Sequence, residues 1–123
     1  MATSRSILIA GGGIAGLTAA LCLSRRGFRV DVFERTKASD PVGAGIQLSP
    51  NALHILDDLG VGKQLRLTAT TPQGIRISSA ATAQQIAAVP LGGDAIVEFG
   101  LPYLCVHRFD LQQALLTACQ ADP

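Results

Sequence analysis

Three glycines set between an apolar run and a helical stripe constrain this chain more than any other feature. Ser6–Ala10 is a short run of branched apolar residues that meets Gly11, the profile of a strand buried in a parallel sheet. Ile14 to Arg26 places Leu17, Ala20, Leu21 and Ser24 on one helical stripe and ends at Gly27, a residue suited to a C-terminal cap. Phe28–Glu34 alternates, with Val30 and Val32 in one register and Asp31 in the other, as a strand does. The predicted unit is therefore strand, helix and parallel strand, with a right-handed crossover. Gly11, Gly13 and Gly16 form G-x-G-x-x-G at its first junction. In that setting Gly11 permits the tight turn, Gly13 lets backbone approach a pyrophosphate, and Gly16 lets the helix pack closely on the strand. The first helical N–H groups, near Ile14 and Ala15, then face phosphate oxygens at the positive end of the helix dipole. Glu34, 21 residues after Gly13, is placed to accept hydrogen bonds from ribose hydroxyls. An acidic partner there disfavours the 2′-phosphate of NADP and leaves FAD or NAD.

The bulk properties agree with a packed domain and exclude several alternatives. At 123 residues the chain is long enough for one domain with a real core, and 48% hydrophobic against 15% charged residues is too apolar for a disordered segment. A net charge of +1 with no run of like charge offers no track for a phosphate backbone or an anionic membrane, so no nucleic-acid partner and no membrane span are expected. Arg5 before the apolar run Ile7 to Leu23 resembles a secretory leader, but Gly11, Gly12 and Gly13 would break such a helix and no small-residue cleavage pattern follows. Cys22, Cys105 and Cys119 are odd in number, widely spaced and set in apolar runs, which fits reduced core thiols and a cytoplasmic setting.

Beyond the first unit, Thr36–Gly45 reads as a loop. Pro50 at a first helical turn, then Leu53, Leu56, Leu59 and the stop at Gly60, predict a short helix that Gly62–Thr68 could extend after a kink. Ile75 and Ile77 alternate with polar neighbours and Gln84–Val89 is a second extended run, together an antiparallel pair. Pro90 to Pro102, with Gly92, Gly93 and Gly100, reads as an irregular and mobile connection. Tyr103–His107 is a strand, and Phe109–Ala121 a helix with Leu111, Leu115, Ala118 and Cys119 inward and Asp110 and Gln113 at capping-box spacing. Asp122-Pro123 follows that helix with no closing strand, whereas a sheet begun in this way ordinarily has more parallel strands, so an incomplete domain is expected.

Two later stretches separate FAD from NAD. Gly11–Arg35, then Val42-Gly-Ala-Gly-Ile-Gln-Leu-Ser-Pro-Asn51, then His107-Arg-Phe-Asp-Leu111 resemble the N-terminal third of single-component FAD-dependent aromatic hydroxylases, the group containing salicylate and 3-hydroxybenzoate 6-hydroxylases. The likeness spans nearly the whole chain, with the three motifs in that family's order and spacing. Val42–Gln47 is read as a loop whose glycines let main chain pass close to a flat ligand, and the resemblance places it near the flavin ring and ribityl chain. Gln47 is assigned to contact, because a neutral amide cannot act as a base where some relatives carry histidine. Arg108 offers a fixed charge and a fork of donors suited to pyrophosphate or ribityl oxygens, and the resemblance assigns the matching arginine to FAD. Arg35 either flanks the adenine or is simply solvated. His107 is read as a strand-end residue and His54 as a surface one.

The resemblance implies a Rossmann-like α/β fold in which residues 1–123 form the N-terminal part of an FAD-binding domain and 74–107 contribute to a substrate-side antiparallel sheet. It also implies NADH or NADPH as transient reductant and hydroxylation of a small aromatic substrate by dioxygen, with a homodimer open to the full-length protein. No catalytic acid–base pair, nucleophile or metal site is visible, in keeping with chemistry carried by the cofactor. The family's later Asp-Gly and Gly-Asp motifs are not among these residues, so the short chain is expected to bind FAD weakly or not at all and to be inactive alone. Another flavoprotein on the same adenine-binding unit, such as an amine oxidase or a reductase, and a non-catalytic nucleotide-binding fragment remain as alternatives.

Overall fold

The computed structural model describes residues 6–36 and 44–121. Strand β1 (Ser6–Ala10) leads through the glycine turn into helix α1 (Ile14–Ser24), which returns the chain to β2 (Arg29–Phe33). β1 and β2 are parallel, with Ser6 opposite Arg29 and Ala10 opposite Phe33. The expected strand–helix–strand unit is thus present. Its helix stops two residues earlier than the apolar stripe implies, because Arg25 to Gly27 form a turn. Gly27 adopts φ +81°, and its N–H reaches the Ser24 carbonyl at 2.7 Å while the Phe28 N–H reaches Leu23 at 3.2 Å. Only glycine takes that left-handed conformation at no steric cost.

β3 (Gly45–Leu48) follows, where a loop was expected. Its glycine and its four-residue length hide the alternation of Ile46 and Leu48, and its partner is remote in sequence. Residues 37–43, including Val42 and Gly43 of the expected loop, lie outside the described residues. Helix α2 (Pro50–Asp58) starts with Pro50 in its first turn and ends before Gly60, which has φ +74°; the one-turn α3 (Gly62–Leu65) follows. Arg25, beyond the end of α1, donates to the carbonyls of Asp58 and Leu59, the latter at 2.8 Å, and so satisfies two acceptors that the end of α2 leaves open.

β4 (Gly74–Ser78) and β5 (Gln85–Pro90) form the expected antiparallel pair, with a register shift at Ile77/Ser78. α4 (Gly93–Phe99) then occupies the segment read as irregular. The glycines that marked it as a break are the flanks of a helix: Gly92 precedes its first residue, and Gly100 closes it at φ +76° in the left-handed cap position. β6 (Leu104–His107) pairs antiparallel with β3, Gly45 opposite His107 and Leu48 opposite Leu104, and Thr70 bridges Cys105 on top of that pairing. Helix α5 (Arg108–Ala121) starts directly after β6. Asp110 therefore lies inside its first turn and cannot be the cap that its spacing to Gln113 predicts; the His107 ring takes that place, its Nδ1 accepting the Phe109 N–H at 3.3 Å.

One apolar cluster joins these pieces. Leu17 and Leu21 of α1, Leu53 of α2, Leu65 of α3 and Leu111 and Leu115 of α5 are buried together with Leu48, Leu104 and Val106 of the β3–β6 pair. Each fully buried leucine contributes about 1.5–3 kcal/mol relative to an exposed one. Ala118 and Cys119, expected to face inward, are partly buried against this cluster, and Cys22 and Cys105 are likewise half-buried. The β4–β5 hairpin stands outside it: Ile75, Ile77, Ile86 and Val89 are all exposed. No helix among the described residues is long and apolar enough to cross a membrane.

Candidate functional site: the glycine turn and its supports

The turn between β1 and α1 is held in one conformation by named contacts. Gly11 has φ +113°, and its N–H donates to the Phe33 carbonyl at 2.7 Å, so the parallel pairing continues one residue past β1. A Cβ on Gly16 would stand 1.9 Å from the Gly11 carbonyl oxygen, a backbone clash that no side-chain motion relieves. The close helix-on-strand packing assigned to Gly16 is therefore present. A Cβ on Gly13 would meet nothing within 4 Å, so the side of the turn where a ligand's phosphate is expected is open.

Gly12, which the spacing passes over, is the residue on which the supports converge. Its N–H donates to Glu34 Oε2 at 2.7 Å, and its carbonyl accepts from Gln112 Nε2 at 3.0 Å. A Cβ there would lie 3.1 Å from that of Glu34. The other carboxylate oxygen, Glu34 Oε1, accepts from the Thr36 N–H at 2.8 Å and the Thr36 hydroxyl at 3.0 Å. The Thr36 N–H first, and the Gly12 N–H after it, hold the Glu34 carboxyl down from its ordinary 4.5 to about 2. Glu34 is thus anionic throughout the physiological range, and its remaining lone pairs stay available to further donors.

At the start of α1, the Leu17 N–H makes the first intrahelical bond, to Gly13 O at 2.9 Å. The N–H groups of Gly13, Ile14, Ala15 and Gly16 have no acceptor among the described residues, which is the donor set a helix N-terminus offers an anion. Four aligned donors, an open approach at Gly13 and an anionic acceptor at the end of β2 fit the phosphates and ribose of an adenine dinucleotide.

Of the remaining predicted site residues, Arg108 lies on α5, the helix that reaches the turn, and Gln47 lies on β3, which pairs with the strand leading into α5. α5 packs on α1, with Cys119 Sγ 3.5 Å from the Leu17 carbonyl. Arg108 is the first residue of α5, one turn before Gln112 and on the same helix face. Its N–H donates to Ala44 O at 3.2 Å, its side chain is exposed, and its guanidinium has no hydrogen bond or ion pair among the described residues. A free cation at a helix start opposes the helix dipole, a mild cost that an anionic ligand would reverse. Gln47, exposed on β3 opposite Cys105, accepts the Tyr103 hydroxyl on Oε1 at 2.9 Å and keeps its amide donors. Arg35 is exposed beside Glu34, and His54 is exposed with Nε2 3.3 Å from Phe99 O.

Gln112, whose side chain reaches the turn, is the residue that the motifs pass over. The signal was its position four residues after Arg108, where a helix repeats its face. Among the described residues no cluster of three His, Cys, Asp or Glu side chains could hold a metal. An open depression of about 570 Å³ lies over the β4–β5 hairpin, but it shares no residue with the glycine turn.

A parallel strand–helix–strand unit with this turn, and with an acid at the end of its second strand, defines a dinucleotide-binding domain. Residues 4–120 match the family described as FAD binding domain, and the chain belongs to that family. It is 45% identical over 114 residues to 3-hydroxybenzoate 6-hydroxylase 1 of Aquipseudomonas alcaligenes, a match that covers 93% of this chain and 29% of that enzyme. Among solved structures it is similar to the tetrameric form of 2-methyl-3-hydroxypyridine-5-carboxylic acid oxygenase, with a TM-score of 0.80 and 29% identity over 97% of this chain and 30% of the other. It is also similar to the flavin-dependent monooxygenase PieE in complex with FAD and substrate, with a TM-score of 0.75, 27% identity and coverage of 97% and 22%. The chain thus spans less than a third of the length of the relatives it matches.

Proposed function

We propose that this chain forms the adenosine-diphosphate side of an FAD site in a flavin-dependent monooxygenase that uses NADH or NADPH and dioxygen to hydroxylate a small aromatic substrate. The observation that carries the reading is the turn itself: a side chain is excluded at Gly16, the approach at Gly13 is open, and four N–H donors have no acceptor among the described residues, beside an ionised Glu34. In this reading Gly11 and Gly16 shape the turn, and Gly13, Ile14 and Ala15 direct N–H groups to the pyrophosphate. Glu34 accepts from the adenosine ribose, Arg35 flanks the adenine, Arg108 neutralises phosphate or ribityl oxygens, and Gln47 contacts the flavin side. Bound FAD supplies the electron transfer and oxygen activation; these residues supply position, exclusion of water and charge. The relatives named above, which act on a hydroxybenzoate and a hydroxypyridine carboxylate, support an aromatic acid as substrate class. Residues 74–107 contribute to the substrate side in this reading, the protein works in the cytoplasm, and the full-length protein assembles as a homodimer.

The visible spectrum of the purified full-length protein tests the proposal. Flavin bands bleached by NADH or NADPH, faster with an aromatic acid present, are the expected result; a protein that binds no flavin when supplied with it would overturn the reading.

A further inference from the structure

Gln112 is the one side chain of α5 that touches the glycine turn through a described hydrogen bond, and it binds a carbonyl with two consequences. A trans peptide is planar, so the Gly12 C=O and the Gly13 N–H point in opposite directions. With Gly12 O drawn onto Gln112 Nε2 at 3.0 Å, the Gly13 N–H points away from α5. Both residues flanking this peptide are glycines, so local sterics do little to select its orientation. The same carbonyl stands four residues before Gly16 and would, in a helix begun one residue earlier, accept the Gly16 N–H. The first intrahelical bond instead runs from Leu17 to Gly13, and the Gly16 N–H stays unpaired among the described residues. Glu34 holds the preceding peptide through the Gly12 N–H, so the Gly12 residue is clamped from both sides by groups remote in sequence.

We infer that Gln112 is a positioning residue for pyrophosphate binding: by fixing the Gly12–Gly13 peptide and occupying the Gly12 carbonyl, it keeps the Gly13 and Gly16 N–H groups free and aimed at phosphate. This rests on the FAD reading and adds a residue to it. Because Gln112 acts on the phosphate donors and not on the ribose acceptor, its effect falls on ligands that carry phosphate.

The test is calorimetric titration of the full-length apoprotein with ADP and with adenosine, alongside thermal denaturation. Gln112→Leu removes the donor; it is expected to weaken ADP about five- to tenfold, the scale of one hydrogen bond, and to leave adenosine within twofold of the unaltered protein. Gln112→Glu keeps the shape but donates only when its carboxyl is protonated. Its ADP deficit relative to the unaltered protein is therefore expected at pH 8 and relieved toward pH 5, a dependence that a purely structural role does not produce. Unchanged ADP binding in Gln112→Leu, an equal loss for ADP and adenosine, or a pH-independent Gln112→Glu deficit overturns the inference. Should Gln112→Leu fail to fold, the pH dependence of Gln112→Glu decides. If the unaltered protein binds neither ADP nor FAD, the cofactor reading falls and this inference with it, an outcome distinct from normal binding in both variants.

Discussion

Adding one methyl group at Gly16 or at Gly13 separates the packing role of the turn from its binding role. At Gly16 the new Cβ would stand 1.9 Å from the Gly11 carbonyl oxygen, against the 3.4 Å at which ordinary contact begins. About 1.5 Å of separation is then required between α1 and the turn, in a backbone with little void to absorb it. Gly11 cannot yield easily, since its N–H is bonded to Phe33 and its φ is +113°. Overpacking of this kind costs roughly 1–3 kcal/mol, and a backbone-on-backbone clash belongs at the upper end. In a full-length protein of its relatives' length about 3 kcal/mol lowers the melting temperature by roughly 4 °C. At Gly13 the methyl meets no protein atom, and φ −77°, ψ −177° is open to any residue. Gly13→Ala is therefore expected to melt within about 2 °C of the unaltered protein while losing at least about tenfold in ADP affinity, the scale of 1.4 kcal/mol. Thermal denaturation and ADP titration of the two full-length variants provide the assay. Unaltered melting in Gly16→Ala refutes the packing argument, and unaltered ADP binding in Gly13→Ala refutes the placement of phosphate at the turn.

Three further outcomes are expected. Glu34→Ala and Arg108→Ala each reduce the flavin retained by the purified full-length protein; unchanged stoichiometry in both would sink the site assignment. Glu34 lies below its ordinary 4.5, at about 2, so its contribution to stability is fully present above 4.5 and is lost as pH falls from there through about 2. Thermal melts across that window should show a steeper acid loss in the unaltered protein than in Glu34→Gln, and identical acid limbs would contradict the contacts from Thr36 and Gly12. A Cβ on Gly62 would fall 1.9 Å from Asp57 Oδ1 and 2.9 Å from Arg66 Nη1, inside the two-pronged Asp57–Arg66 pair. That pair is one-third exposed on each side, so Gly62→Ala and Arg66→Ala should each cost about 1 kcal/mol or less. The double variant should cost no more than the larger of the two, and full additivity would show that Gly62 serves something else.

The strand–helix–strand unit was legible because its signals are local: the period of two in Val30 and Val32, the helical stripe through Leu17 and Leu21, and glycines whose spacing encodes a turn. Glu34 at the strand end was legible for the same reason. β3 was not, since four residues containing a glycine become a strand only through pairing with β6, which lies far along the chain. α4 was obscured by the ambiguity of glycine, which breaks a helix in its interior and delimits one at its ends; Gly92 and Gly100 do the second. At α5 the Asp110–Gln113 spacing looked like a cap, but the helix begins at Arg108 because β6 runs straight into it and His107 can accept the open N–H. Gln112 shares a helix face with Arg108 but was passed over for a different reason: what it binds is a carbonyl in the turn, a group that every residue carries and that no motif marks.

The clasp between Gln112 and Gly12 spans 100 positions of the chain, and the Cys119–Leu17 contact beside it spans 102. Contacts this distant close loops of most of the chain at a higher entropic cost, whereas the β1–α1–β2 unit closes over short separations. During synthesis the turn emerges early, but the peptide that Gln112 orients is finished only when α5 docks. In the proposed reading, nucleotide therefore rewards the completed arrangement more than the nascent unit, and cofactor capture would report the docking of a distant helix.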